Sequence, residues 1–370
     1  MDFSLSEAQE AVVAAAAKLF ETQLTDERRA ETERGDGFDR GLWAALAEAN
    51  LLGLAVPEGH GGSGLGFGEV SVLLEEAGRV AAPVPLWAAL VLGGMTLDKW
   101  GTDAQRRRFL PRLARGELVL TAALTEPGTE PERPLATARE DGSSWVLEGT
   151  KTCVPAATVA DAFVLPAGGS VFVVEAGAPG LEITPLQTTG GSPEGLVELR
   201  GVRVGAEARL RGPAAEVLGW LLPRATSGLC SLMAGTCRAA LKLTAEYAVG
   251  RKQFDRPIAS FQAVGQRAAD AYVDTEAVSL TARQAAWRLA EGLPAAEQVA
   301  IAKFWAADGG QRVVHAAQHI HGGMGVDRSY PLHRYFLAAK EIELALGGAT
   351  AQLRRLGALM AGGRDEADRG

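Results

Sequence analysis

The hydrophobic period of this chain changes twice. From residue 3 to about 118, apolar positions recur at helical spacing: Ala8-Gln-Glu-Ala-Val-Val-Ala-Ala-Ala-Ala-Lys-Leu-Phe20 follows Ser6, a candidate N-cap, and residues 38–50 repeat the pattern. From about 119 to 213 the apolar runs shorten. Leu118-Val-Leu-Thr-Ala-Ala-Leu124, Trp145-Val-Leu-Glu148, Ala162-Phe-Val-Leu165, Ser170-Val-Phe-Val-Val174, Leu181-Glu-Ile-Thr184 and Gly195-Leu-Val-Glu-Leu-Arg200 are separated by Gly, Pro and Asp, which predicts short strands. After Gly212-Pro213 the helical period returns over 223–249, 260–291, 295–320 and 331–346 and predicts a helical bundle. The fold class read from this pattern is mainly α with a central β domain: 1–118 an N-terminal α-helical domain, 119–213 a middle β domain, 214–362 a C-terminal helical bundle and 363–370 a polar tail.

An α, β, α order differs from a mononucleotide-binding sheet, in which strands and helices alternate and a Gly-rich turn follows the first strand. The run Gly59-His-Gly-Gly-Ser-Gly-Leu-Gly-Phe-Gly68 follows a helix and lacks the Lys-Ser/Thr ending of a P-loop, so it reads as an interhelical loop. Composition adds exclusions. With 370 residues, 47% apolar and 22% charged, the chain is long enough for two or three subdomains, and a net charge of −8 argues against nucleic acid or an anionic membrane as partner. Cys153, Cys230 and Cys237 show no C-x-x-C spacing, which suggests neither a disulfide framework nor a zinc site. The start Met1-Asp-Phe-Ser-Leu-Ser-Glu lacks a signal-peptide pattern and no apolar run is long enough to span a membrane, so a cytoplasmic location is expected.

Candidate chemistry lies where two predicted helices meet, at Tyr247-Ala-Val-Gly-Arg-Lys-Gln-Phe-Asp-Arg-Pro-Ile-Ala-Ser-Phe-Gln262. Arg251 and Gln262 flank a Pro-containing turn, and a guanidinium and an amide there suit a pyrophosphate that needs charge-assisted donors; a solvated basic loop is the other reading. Gly322-Gly323 after the 295–320 helix lets backbone approach a ligand closely, and also suits a helix C-cap. His315 and His319 at i, i+4 with His321 nearby lack the carboxylate of an H-E-x-x-H pair, and no metal is expected.

The Arg251 corner resembles the flavin-binding corner of the acyl-CoA dehydrogenases. His319-Ile-His-Gly-Gly-Met-Gly-Val-Asp-Arg-Ser-Tyr-Pro331 resembles that family's Q-x-x-G-G-x-G…Y-P loop, Val56-Pro-Glu-Gly-His-Gly-Gly-Ser-Gly64 its V-P-E-x-x-G-G-x-G turn, and Leu124-Thr-Glu-Pro-Gly128 its T-E-P-G turn. The resemblance spans nearly the whole chain. It implies FAD as cofactor, an N-terminal helical domain, a small β-barrel-like domain and a C-terminal four-helix bundle. It also implies FAD contacts at Arg251, Phe254, Gln262, His319, Gly322, Gly323, Thr125 and Pro155, the G-G loop reaching the adenosine diphosphate half of FAD across a subunit boundary. His319 stands where the family has Gln, Cys153 where it has an aromatic over the ring, and Pro155 where it has a hydroxyl facing flavin N5. Pro155 brings neither a hydroxyl nor a backbone N–H to that contact.

The family's reaction removes an α-proton of an acyl-CoA thioester with a glutamate, of pKa raised by burial, while a hydride leaves the β-carbon. The commoner glutamate position, six residues after Lys340, is Leu346; the alternative, twenty-six before Arg251, is Ala225. Glu343, one turn before Leu346, is the nearest substitute base, and a solvated surface carboxylate is its other reading.

Three functions stay open. One is an FAD-dependent α,β-dehydrogenation of an acyl-CoA, with a partner subunit supplying the base. Another is a non-catalytic FAD-sharing subunit, resembling the base-lacking chains of heteromeric actinobacterial acyl-CoA dehydrogenases. The last is a flavin monooxygenase on the same fold. The resemblance implies a homo- or hetero-oligomer and an electron-transfer flavoprotein as acceptor. The small side chains around Cys230, Met233, Ala234, Gly235 and Cys237 suit either a bulky acyl group or close helix packing.

Overall fold

The computed structural model describes residues 3–367. Residues 1–2 of the chain start and 368–370 of the polar tail lie outside the described residues. By contact density the chain divides into two compact units, residues 7–70 with 83–225 and residues 1–6 with 71–82 and 226–370.

The first unit opens with α1 (Glu7–Gln23), α2 (Asp26–Arg34) and α3 (Arg40–Glu48). Helix α1 starts directly after Ser6 as the pattern predicts, and α3 is capped by the Asp39 side chain, which accepts from Leu42 N at 2.8 Å. The glycine-rich run is a loop with one short 3₁₀ turn ahead of α4 (Phe67–Arg79). The apolar stretch Trp87–Met95 forms a π-helix and continues into α5 (Thr96–Trp100); α6 (Asp103–Ala114) follows a Thr102/Gln105 capping box.

Seven strands follow: β1 (Leu120–Ala122), β2 (Thr137–Asp141), β3 (Ser144–Val154), β4 (Ala162–Ala167), β5 (Ser170–Glu175), β6 (Leu181–Pro185) and β7 (Gly195–Gly205). One sheet has the order β1-β4-β5, with β1 parallel to β4, and the other is antiparallel in the order β2-β3-β7-β6. Leu147, Val154, Phe163, Leu165, Phe172, Val174, Val197, Leu199 and Val202 fill their core. Strand β2 escapes the hydrophobic pattern because its sequence, Thr-Ala-Arg-Glu-Asp, has no buried residue and one apolar side chain, Ala138, against the core; it is held by its ladder to β3.

The second unit holds the second part of α4, α7 (Ala214–Gly250) from Thr226 onward, the two-residue strands β8 (Lys252–Gln253) and β9 (Arg256–Pro257), α8 (Gln262–Ala290), α9 (Ala296–His321), α10 (Leu332–Leu344) and α11 (Ala349–Ala367). The predicted start of α7 at Pro223 is overrun: the helix begins nine residues earlier and passes through Pro223, giving up the one internal bond that proline cannot donate. Small residues on α7 serve close packing. A Cβ on Gly235 would fall inside contact distance of the Glu75 carbonyl, a Cβ on Gly78 would meet the Leu232 carbonyl, and Thr236 Oγ1 donates to Gly78 O at 3.3 Å. On the α9 side, Gly310 lies against the Met233 side chain.

Candidate cofactor and acyl site

In the second unit, α7 ends at Gly250 and the chain turns back through the β8–β9 hairpin, where Phe254 and Asp255 adopt φ of +52° and +63°. Two successive left-handed residues make the tight reversal and push the Phe254 ring outward, 85% exposed and edge-on to Phe261 at 6.1 Å. Arg256 stacks over the Phe261 ring at 4.2 Å. Arg251 is held through its backbone, its N–H donating to Tyr247 O and its carbonyl accepting from Ile258 N, each at 2.8 Å. Its guanidinium is exposed and has no ion-pair partner among the described residues. Gln262 is exposed on the first turn of α8.

Helix α9 ends in a turn that only glycine adopts readily: Gly322 has φ +58° and ψ −133°. Gly322 and Gly323 are exposed with open space where a Cβ would stand, whereas a Cβ on Gly325 would strike the Gln318 carbonyl. His319 points to solvent and His315 lies edge-on to Phe336 at 5.0 Å, while His321 is buried. His321 joins the two motifs. Its ring stacks on Tyr247 at 4.3 Å, Tyr247 Oη donates to His321 O at 3.4 Å, and His321 Nε2 meets Tyr330 Oη at 3.2 Å. The sequence motifs quote all three residues, but nothing in their spacing marks them as partners. Among the described residues no group of three His, Cys, Asp or Glu is arranged to hold a metal.

In the first unit, Thr125 is half-buried and its carbonyl accepts from Thr152 N at 2.9 Å, which ties the T-E-P-G turn to β3. The next residue, Glu126, is buried and paired with the fully buried Lys151. The pair is saturated: the carboxylate also accepts from Leu135 N at 2.5 Å and Ala136 N at 3.1 Å, and Lys151 Nζ donates to Pro166 O at 2.7 Å. Burial pushes the Lys151 amine down and Glu126 opposes that shift. A bulge at the end of β3 leaves Cys153 exposed at φ +48°, with Thr121 Oγ1 donating to the Pro155 carbonyl at 2.6 Å. Ala225 is buried, and its carbonyl accepts from Trp87 Nε1 at 2.9 Å.

The predicted helix over 331–346 stops at Leu344, because the chain leaves helical space at Ala345 (ψ 133°) and goes on through Leu346 at φ +53° and Gly347 at φ +93°. Two buried polar side chains hold this turn. Lys303 Nζ donates to the carbonyls of Ile342 at 2.8 Å and Glu343 at 3.0 Å, and Gln352 Nε2 donates to those of Leu346 at 3.1 Å and Gly347 at 3.2 Å. Burial lowers the Lys303 amine to about 8, against opposing pulls from Cys230 and Glu343, and raises the Cys230 thiol to about 12. Leu346 is half-buried. The Glu343 carboxylate is paired with Lys340 at 2.6 Å. The sequence reading missed Lys303 and Gln352; a lysine among Ala300, Ile301 and Ala302 was the available signal for the first.

This fold is that of the acyl-CoA dehydrogenase family. The N-terminal domain of that family matches residues 6–117 and its C-terminal domain residues 218–360, and the chain belongs to this family of FAD-dependent oxidoreductases. It is 42% identical to acyl-CoA dehydrogenase FadE27 of Mycobacterium tuberculosis, covering 96% of this chain and 98% of that one. Among solved structures it is similar to a chain of the ChsE4-ChsE5 complex of Mycobacterium tuberculosis, with TM-score 0.93, 42% identity and 98% and 99% of the two chains covered. It is similar too to a chain of the Tcur3481-Tcur3483 steroid ACAD, with TM-score 0.91, 40% identity and 98% and 100% covered. No helix among the described residues is long and apolar enough to cross a membrane.

Proposed function

We propose that this chain is the base-lacking subunit of a heteromeric, FAD-dependent acyl-CoA dehydrogenase, in which a homologous partner chain supplies the glutamate. The observation that carries this reading is Leu346: the turn at the family's base position is built and held by Lys303 and Gln352, yet its side chain accepts no proton. Ala225, at the alternative position, accepts none either. Glu343 is committed to Lys340 and its backbone carbonyl to Lys303, which disfavours it as a substitute. The two-chain names of the ChsE4-ChsE5 and Tcur3481-Tcur3483 relatives support a hetero-oligomer, and the second supports a steroid acyl thioester as substrate class.

The donor set fits FAD unequally. At the dinucleotide end, the unpaired Arg251 guanidinium, the Gln262 amide, the exposed Phe254 ring and the open backbone at Gly322 and Gly323 offer a charge-assisted donor, an amide, a stacking surface and close approach to a pyrophosphate and nucleoside. His319 faces solvent beside them, where an imidazole replaces the family's amide. In the other unit, Thr125 of the T-E-P-G turn is half-buried, whereas Pro155 has no N–H and its carbonyl already serves Thr121. We therefore assign to this chain the dinucleotide half of a shared site. The chemistry that FAD would supply when bound is a hydride acceptor for the substrate β-carbon, the α-proton being left to the partner's glutamate. The residues of this chain bind the cofactor's phosphates, and Leu346 gives the acyl site an apolar wall. Three domains divided at residues 118 and 213, and an electron-transfer flavoprotein as acceptor, are part of the same proposal.

Anaerobic titration with steroid and straight-chain acyl-CoA thioesters tests the reading. With FAD added, the chain alone leaves the flavin absorbance unbleached, and co-expression with a glutamate-bearing homologue restores bleaching. Bleaching by the wild-type chain alone overturns the base-lacking assignment.

A further inference from the structure

His321 sits between the two segments assigned to the dinucleotide, and its surroundings fix its chemical state. A backbone carbonyl only accepts, so the 2.8 Å contact between His321 Nδ1 and Ala317 O places the ring proton on Nδ1. Nε2 is then an acceptor, and the Tyr330 hydroxyl at 3.2 Å is its donor. Burial lowers the ring's pKa, the Ala317 bond opposing it, so the neutral form is the one that persists. Around the ring, Tyr247 stacks nearly parallel, with an interplanar angle of 24°, and Tyr330 lies tilted at 5.1 Å.

Each partner belongs to a different part of the dinucleotide face. Tyr247 is one helical turn before Arg251 and accepts that residue's N–H. His321 is the residue before Gly322. Tyr330 closes the far end of the 322–330 turn, where its own carbonyl meets His333 Nδ1 at 2.7 Å. The turn is pinned along its length as well, by the bond from Ser329 N to Asp327 Oδ1 at 2.8 Å and by the approach of Gly325 to Gln318. The corner and the loop are 74 residues apart in sequence where Tyr247 meets His321. Without that lock they would approach a ligand as two independent segments, and ordering both would reduce affinity.

We propose that His321 is a positioning residue which, with Tyr247 and Tyr330, locks the Arg251 corner and the Gly322-Gly323 turn into one rigid pyrophosphate-binding face. This rests on the dinucleotide assignment made above. The lock acts on affinity through Arg251 rather than by touching the ligand.

The test is a double-mutant cycle on ADP affinity, read by calorimetric titration of ADP into the full-length protein as purified. Tyr330→Phe deletes one hydroxyl and keeps the ring; Tyr247→Phe keeps the stack and deletes only the bond to His321 O, guarding against a variant that fails to fold. Each is expected to weaken ADP about five- to tenfold, and Arg251→Ala about tenfold or more. The double variant with Arg251→Ala is expected to bind no more weakly than Arg251→Ala alone, a coupling that a general loss of stability does not produce. Fold losses that multiply overturn the proposal, as do two tyrosine variants that bind like wild type. Wild-type protein that binds neither ADP nor FAD removes the dinucleotide reading itself, and the lock with it.

Discussion

At the scale of single residues, the buried amines carry the heaviest electrostatic load. Lys303 is fully buried, and its amine is lowered from 10.5 to about 8 chiefly by desolvation. Between those values the unfolded chain holds a proton that the folded chain has lost. Stability therefore rises with pH across that window, by about 3 kcal/mol if the whole shift is realised. Urea unfolding at successive pH values should show this slope in wild type and lose it in Lys303→Met, a variant that also leaves the Ile342 and Glu343 carbonyls uncapped. The Lys151–Glu126 pair is a different case, because every polar atom of the pair has a partner. Removing one member strands the other, so Lys151→Met should cost about 3–5 kcal/mol, checked by the shift of the urea midpoint. Leu346 stands apart: a left-handed leucine is strained by about 1 kcal/mol or more, and the bonds from Gln352 hold it there.

At the scale of elements, helix spacing on α7 is set by glycine. A Cβ on Gly235 collides with α4 backbone, which cannot swing aside as a flexible side chain would. Gly235→Ala should lower stability by about 1–3 kcal/mol, measured by urea unfolding, whereas Gly219→Ala, with open space around its Cβ position, should not. The same crossing shows how two of the α7 residues open to two readings in sequence serve packing: Gly235 lies against α4 backbone and Met233 against Gly310 of α9. Elements with strong periodicity were legible: α1, α3, α8, α9 and strands β3 to β7 fall where apolar spacing places them. Strand β2 was not, since a polar strand with a single core-facing alanine has no apolar alternation to betray it. Nor was the end of α10, which depends on bonds from Lys303 and Gln352 rather than on any breaker at Ala345.

At the scale of the whole molecule, the proposed function has the chain keep one part of its family's site and alter another. The Arg251 corner and the Gly322 turn are joined through His321, and under the proposed function Pro155, Leu346 and Ala225 stand at the altered positions. What the sequence by itself determined is the α, β, α order and the family, because periodicity, motif spacing and side-chain chemistry are local properties. What only the tertiary structure decided is which residues act together: His321 on Tyr247, Lys303 and Gln352 around Leu346, Glu126 with Lys151. Apart from the local bonds of Gln352, those contacts join residues 25 to 74 positions apart, and their strength comes from burial that exists only after folding.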